Sequence, residues 1–220
     1  MNDKKQAQLQ ENLRTLLIAA LAKNKMQATD AQIEQLTQLL LLIKKWNRVF
    51  NLTTIVADQA MVDLHIIDSL RALPYVHGNQ LLDVGSGAGL PGLPLAIMQP
   101  DQHWTLLDKS AKKSRFLVQA VATLGLKHVT VVNERAQDFH PSAGFDHILS
   151  RAFAELSQFL TWTAHLLAPN GVWIAMKGKY PQAELAKIPA QTALVRAISL
   201  TSPAINIERH LLFFKKRNQS

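Results

Sequence analysis

From residue 80 onward, short apolar runs alternate with segments whose apolar positions recur at helical spacing. The runs QLLDV, HWTLLD, HVTVVN, FDHILS and GVWIAMKG read as strands. Between them fall a glycine turn with a helix near 92–99, the amphipathic stretch SAKKSRFLVQAVATLG, and a helical segment near 155–168. Repeated strand–helix units predict a parallel sheet covered on both faces. Two last runs, TALVRAISL and RHLLFFKK, are joined by a loop too short for a parallel crossover, so the final strand is expected to be antiparallel. The first 75 or so residues differ in texture. Ile33, Leu36, Leu40, Ile43 and Phe50 keep one helix face apolar, with Thr29 or Asp30 as the N-cap. A further helix is predicted over QAMVDLHIIDSLRAL, stopped by Pro74. The expected organisation is a helical extension over 1–76 and an α/β domain over 77–220, forming one unit. No internal repeat or low-complexity tract interrupts it.

Four of the nine glycines crowd into eight residues of LLDVGSGAGLPGLPLAI, residues 81–97. A strand, a glycine turn and a helix start make a backbone cradle, because missing Cβ atoms let a ligand approach. Gly87-Ala-Gly89-Leu-Pro-Gly92 matches the dinucleotide pattern G-x-G-x-x-G. Its register is wrong: the first glycine should follow the strand directly, and counting from Gly85 places Leu90 where the last glycine belongs. The spacing Asp83-x-Gly85-x-Gly87-x-Gly89 instead suits S-adenosylmethionine, whose ammonium is met by loop carbonyls or, through water, by Asp83. Asp108 ends the next strand, 21 residues after Gly87. A carboxylate there accepts from both hydroxyls of an adenosine ribose, which fits either cofactor.

Composition narrows the setting. The 220 residues include no cysteine, which removes disulfides, thiolate metal sites and cysteine nucleophiles together. No apolar run approaches the roughly 18 residues of a membrane span, and the first ten residues lack the apolar core of a secretion signal. A cytoplasmic protein without membrane attachment is expected. The net charge of +8 is uneven: residues 170–220 carry eight cations and two carboxylates. With the clusters KSAKKSR (109–115), KGK (177–179) and KKR (215–217), it points to a polyanionic partner, nucleic acid before membrane.

The segments WNRVFNLT (46–53), HIIDSL (65–70), DVGSGAGLPGLPLAI (83–97), LLDKSAKKSRFL (106–117) and SRAFAEL (150–156) occur in that order. Together they resemble the RsmG (GidB) family of bacterial methyltransferases, which modify N7 of a guanine in the 530 loop of 16S ribosomal RNA. The resemblance runs from about residue 46 to 178, with ERHLLFFKK similar near the end. It implies a Rossmann-like class I methyltransferase fold: a mostly parallel seven-stranded sheet with a final antiparallel strand. It also implies S-adenosylmethionine as cofactor, S-adenosylhomocysteine as product, and 16S rRNA within the small ribosomal subunit as partner. Cofactor contacts are implied at Gly85 and Leu90, at Ala136 and Gln137, and at Arg151. Gly87 from the turn and Asp108 from the end of the next strand join them. The family commonly has glutamate where this chain has Gln137, whose amide oxygen still accepts from an adenine amino group.

Absences restrict the acceptor. Methylation at pyrimidine C5 usually needs a cysteine. Methylation at an exocyclic amine uses an Asn/Asp-Pro-Pro-aromatic loop, and Ser150-Arg151-Ala152-Phe153 stands there instead. Guanine N7 needs no proton removed, so catalysis can rest on positioning. Arg151, Arg135 and Lys177 end the fourth, third and fifth strands, where they should line the crevice and act as positioning groups on guanine or phosphate. Lys112, Lys113 and Arg115, with Lys177, are the candidate RNA contacts; a charge run of this kind is also what a solvated helix face looks like. Phe153 reads as core. His65 and Asp68 share a helix face, but two ligands without a third do not make a metal site. No metal is expected, and a monomer is. A methyltransferase for another acceptor, an RNA-binding module and an NAD-linked oxidoreductase remain the competing readings.

Overall fold

The computed structural model describes residues 3–151, 153–200 and 208–217. Two long helices come first, α1 (Asp3–Lys23) and α2 (Asp30–Phe50). Thr29 starts α2 with a reciprocal cap: its hydroxyl accepts from the Gln32 N–H, and its own N–H donates to the Gln32 side chain. The next helix is continuous in space but not uniform. Asp58–Met61 is α3, Val62–Ile67 is wound as a π-helix, and Asp68–Leu70 is α4. The α-helical winding ends at Leu70, and Pro74 sits in a short 3₁₀ turn over Leu73–Tyr75.

The sheet has seven strands in the order β3-β2-β1-β4-β5-β7-β6. Here β1 is Gln80–Val84, β2 His103–Leu107, β3 Val129–Val132 and β4 Phe145–Arg151. Strand β5 is Leu167–Lys177, β6 Thr192–Ser199 and β7 His210–Lys216. The first five strands pair in parallel, and β7 runs antiparallel to both β5 and β6, as its short connection requires. Chain order runs outward from β1 to β3, then returns to β4 on the other side of β1. That reversal opens a crevice at the carboxyl ends of β1 and β4.

Helices α5 (Gly92–Met98) and α6 (Ala111–Leu124) follow β1 and β2. Ser110 caps α6 and Gly125 closes it in the left-handed region at φ 67°. One core cluster joins Leu13, Leu36 and Ile43 of the N-terminal helices to Leu93 and Phe116 of the α/β layer. The extension is thereby fastened over the α5–α6 face. On the opposite face Leu156, Phe159 and Leu160 of α7 (Leu156–Trp162) pack with Trp173 and Phe214. This helix is shorter than its apolar pattern suggests: after Trp162 the chain passes through a 3₁₀ turn at Ala164–Leu166 and enters β5 at Leu167. A four-residue helix, α8 (Gln182–Leu185), follows β5.

Candidate cofactor cleft and basic pocket

The glycine turn leaves β1 in a conformation that side chains resist. Gly85 has φ +72° and Gly87 φ +57°, both in the left-handed region. The Gly85 N–H donates to the Leu107 carbonyl at 2.8 Å, tying the turn to the end of β2. A Cβ on Gly85 would lie 2.5 Å from Phe153 Cδ2, so the phenyl ring closes on the turn only because that atom is missing. The Gly87 N–H donates to Asp108 Oδ2 at 2.9 Å, and Asp108 Oδ1 accepts from the Ser110 N–H at 2.8 Å. One carboxylate therefore bridges the turn and the start of α6. Its backbone carbonyl accepts from Ser114 Oγ and from the Asn133 amide.

Asp83 behaves differently from the expectation that it reaches the cofactor through water. It is fully buried behind the turn, where Oδ2 accepts from the Gly92 N–H at 3.0 Å. Its Oδ1 has no hydrogen-bond partner among the described residues. Burial pushes its pKa up to about 7, against the lowering effect of the Gly92 N–H. A Cβ on Gly92 would meet Asp83 Oδ2 at 2.7 Å, so the turn is welded to β1 by a close approach only glycine allows.

In front of the turn lies a cleft of about 500 Å³. Gly85, Asp108, Ala136 and Gln137 line it, together with the rings of Phe153 and Trp162. These two rings meet edge-on, with centroids 6.0 Å apart. Lys109, Lys113 and Arg135 stand on its lining together with Glu134.

A second cavity, of about 530 Å³, opens beside the fourth strand. It holds Arg151, Lys177, Arg209, Asp68, His65 and Thr53. Asp68, 2% exposed, is its centre. Arg151 Nη1 donates to Asp68 Oδ2 at 3.3 Å and to the Leu64 carbonyl at 3.1 Å. Arg209 Nε donates to Asp68 Oδ1 at 2.8 Å, and Arg71 Nη1 stands 3.9 Å from the same oxygen. Three guanidiniums against one carboxylate leave the cluster net positive. Burial lowers the pKa of Arg151 and Arg71, and the Asp68 carboxylate opposes that drop. Lys177 is ion-paired with Glu184 at 2.8 Å, and Glu184 also accepts from the Leu156 N–H at the start of α7. His65 Nε2 lies 3.1 Å from Thr53 Oγ1, while Nδ1 lacks a partner among the described residues. Burial, then the Arg151 charge, lower its pKa to about 4.

Residues 32–212 match the family model described as rRNA small subunit methyltransferase G, GidB. The chain belongs to this family. It is 48% identical over 187 residues to the ribosomal RNA small subunit methyltransferase G of Aeromonas salmonicida, covering 85% of this chain and 90% of that one. The namesake from Laribacter hongkongensis is 46% identical over 201 residues, covering 91% and 97%. Among solved structures, an Aquifex aeolicus S-adenosylmethionine-dependent methyltransferase superposes with a TM-score of 0.55 at 17% identity, covering 77% of this chain and 96% of that one. Coclaurine N-methyltransferase, solved with S-adenosylhomocysteine, gives 0.55 at 12% identity, covering 89% and 73%. At such identities the likeness shows the methyltransferase fold.

Within this GidB chain the residues singled out from sequence divide between the two cavities. Gly85, Asp108, Ala136, Gln137, Arg135 and Lys113 line the cleft. Arg151 and Lys177 line the basic pocket instead. Gly87 reaches the cleft indirectly, through its bond to Asp108. Leu90 is 5% exposed, with its N–H donating to the Ser86 carbonyl at 3.0 Å. Lys112 and Arg115 stay on the exposed face of α6, whereas Lys113, one residue on, turns into the cleft. Phe153 is half-buried against the second core cluster, as read, and its ring also lines the cleft. Arg209 escaped sequence reasoning: it lies 141 residues from Asp68, and its segment ERHLLFFKK reads as a strand without singling out the arginine. Asp68 carried its helical spacing from His65 and its place in HIIDSL, a helix that the resemblance sets near the active site in a structural or gating role; neither signal names the cations it meets. Among the described residues no group of three His, Cys, Asp or Glu side chains is placed to hold a metal ion.

Proposed function

We propose that this chain transfers a methyl group from S-adenosylmethionine to N7 of a guanine in the 530 loop of 16S ribosomal RNA. The reading is carried by one observation: a glycine-turn cleft with a ribose-type carboxylate at the end of β1 and a net-positive pocket at the end of the neighbouring β4. The residues present fit the cofactor. Each Asp108 oxygen accepts one backbone N–H, which leaves lone pairs for two ribose hydroxyls. The Ala136–Gln137 wall suits an adenine, with the Gln137 amide as acceptor for its amino group. Phe153 and Trp162 give the cleft an apolar side. Bound there, S-adenosylmethionine would supply an electrophilic methyl on a sulfonium.

The chain's own residues then have to position and to neutralise. Guanine N7 presents a lone pair and loses no proton before attack, so no general base is required. Arg151 and Lys177 are the positioning groups on the acceptor side, with Arg135 on the cleft rim. A guanidinium presents a planar fork suited to guanine O6, a carboxylate or a phosphate. Because Asp68 already fixes its Nη1, the Arg151 fork is held in place before substrate arrives.

The test is labelled methyl transfer by the full chain to purified small subunits and to 16S rRNA, followed by mapping of the modified nucleotide. Label at N7 of one guanine of the 530 loop is expected, and Arg151→Ala should abolish it while cofactor-free folding persists. Label on another atom or another RNA, or no transfer to either substrate at any salt concentration, overturns the reading.

A further inference from the structure

Two stretches of the sequence carry no carboxylate, residues 35–57 and residues 109–133. The fold brings them together. Trp46 stacks on Phe50 within α2, with ring centroids 4.9 Å apart and planes 26° from parallel. Trp46 also meets Phe116 of α6 edge-on at 5.7 Å. Across the same seam Lys112 Nζ stands 5.0 Å from the Phe50 ring centre. Phe50 and Trp46 are half-buried, and Lys45, Lys109, Lys112 and Arg115 near them are exposed. Lys109 lines the cofactor cleft, so this surface runs into the site. Lys44, by contrast, is already ion-paired with Asp58.

An ammonium over an aromatic ring marks a ring face reachable from water, and it occupies the place a stacked base would take. Rings flanked by exposed positive charge are what single-stranded nucleic acid binds, because every base has a π-face and every linkage a phosphate. We infer that the last turns of α2 and the first turns of α6 form a platform for single-stranded RNA leading to the cleft. Phe50 offers the stacking face, and Lys45, Lys112 and Arg115 hold phosphates. The N-terminal extension thus supplies half of the RNA surface. The inference rests on the rRNA-methylating reading above and adds where the strand lies.

The experiment measures anisotropy of a labelled single-stranded oligoribonucleotide across a salt series, with KM for 16S rRNA as a second readout. Three variants of the full chain are compared: Phe50→Leu, the double Lys112→Gln/Arg115→Gln, and a charge-matched double Lys4→Gln/Lys5→Gln on α1. Phe50→Leu is expected to weaken binding roughly five-fold or more with an unchanged salt slope. The α6 double should lower the slope by about 0.7 per lost phosphate contact. The α1 double should behave as wild type, and cofactor affinity by calorimetry should hold in all three, which also reports their folding. If the α6 double weakens binding while Phe50→Leu does not, the cations hold phosphate without a stacked base and the platform is wrong. Equal losses in both doubles would mean that only overall charge matters, which also overturns it. Wild-type behaviour of all variants on rRNA that the enzyme does methylate sinks the platform and spares the reading. Absence of methylation by wild type sinks both.

Discussion

Arg151 Nη1 lies 3.3 Å from Asp68 Oδ2, joining the end of β4 to a helix 83 residues earlier in the chain. The partner oxygen of that carboxylate serves Arg209 at 2.8 Å, so a single buried anion orders cations from three parts of the sequence. Asp68→Asn leaves these guanidiniums without their counter-charge. Breaking one partner of a buried pair typically costs about 3–5 kcal/mol. A fall of that order in urea-unfolding free energy is expected, with methyl transfer lost at temperatures where the variant is still folded. A variant with wild-type stability and turnover would show that the cluster is not needed.

Gly85→Ala tests the turn. At φ +72° an alanine carries strain of about 1–2 kcal/mol. Its Cβ would also sit 2.5 Å from the Phe153 ring and push that ring into the cleft. Cofactor affinity by calorimetry should drop by more than ten-fold. The double variant Gly85→Ala/Phe153→Ala restores room and should recover part of that affinity. Failure to recover would locate the damage in the backbone rather than in the ring contact.

Asp108→Asn keeps one acceptor oxygen and replaces the other with a donor. Either the Gly87 or the Ser110 N–H loses its partner, and one ribose hydroxyl would face an amide N–H. Hydrogen bonds to a charged group contribute about 1.5–3 kcal/mol, so the methyl donor should bind roughly ten- to a hundred-fold more weakly. Calorimetric titration reads this directly, and an unchanged dissociation constant would remove Asp108 from the site.

Much of this was legible in the sequence because the signals are local. A strand that runs straight into Gly85, an aspartate closing the next strand and a loop too short for a parallel return each fix their own geometry. What stayed hidden depends on long separations or on competing local preferences. Asp68, Arg151 and Arg209 meet only after the sheet assembles, and Arg209 sits in a run with no periodicity to single it out. The apolar pattern after residue 155 continues past Trp162 at near-helical spacing, but Trp173 takes the Thr163 hydroxyl as its acceptor at 2.9 Å and the chain turns into β5 there. Lys113 looked like a third member of a solvated run. Ser110 accepts from its N–H, which places Lys113 in the first turn of α6, at the mouth of the cleft.

His65 gives the molecule a pH dependence with a definite sign. The ring is buried with Nδ1 unpartnered among the described residues, and burial together with the Arg151 charge holds its pKa at about 4, while Asp68 and the Leu64 backbone pull weakly the other way. In the unfolded chain the same ring titrates near 6.5. Between those values the unfolded state binds a proton that the folded state refuses, so stability falls as pH drops through this window. At pH 5 the penalty from this one ring is about 2 kcal/mol relative to pH 8. His147, also lowered to about 4 chiefly by burial, acts in the same direction, so wild type alone cannot isolate the effect. His65→Gln keeps a polar group toward Thr53 and cannot take up the proton. Urea unfolding at pH 8 and pH 5 should therefore show the variant losing about 2 kcal/mol less than wild type over that interval. Parallel losses in the two proteins would mean that His65 is protonated in the folded state and that the pocket around Asp68 is wetter than its packing implies.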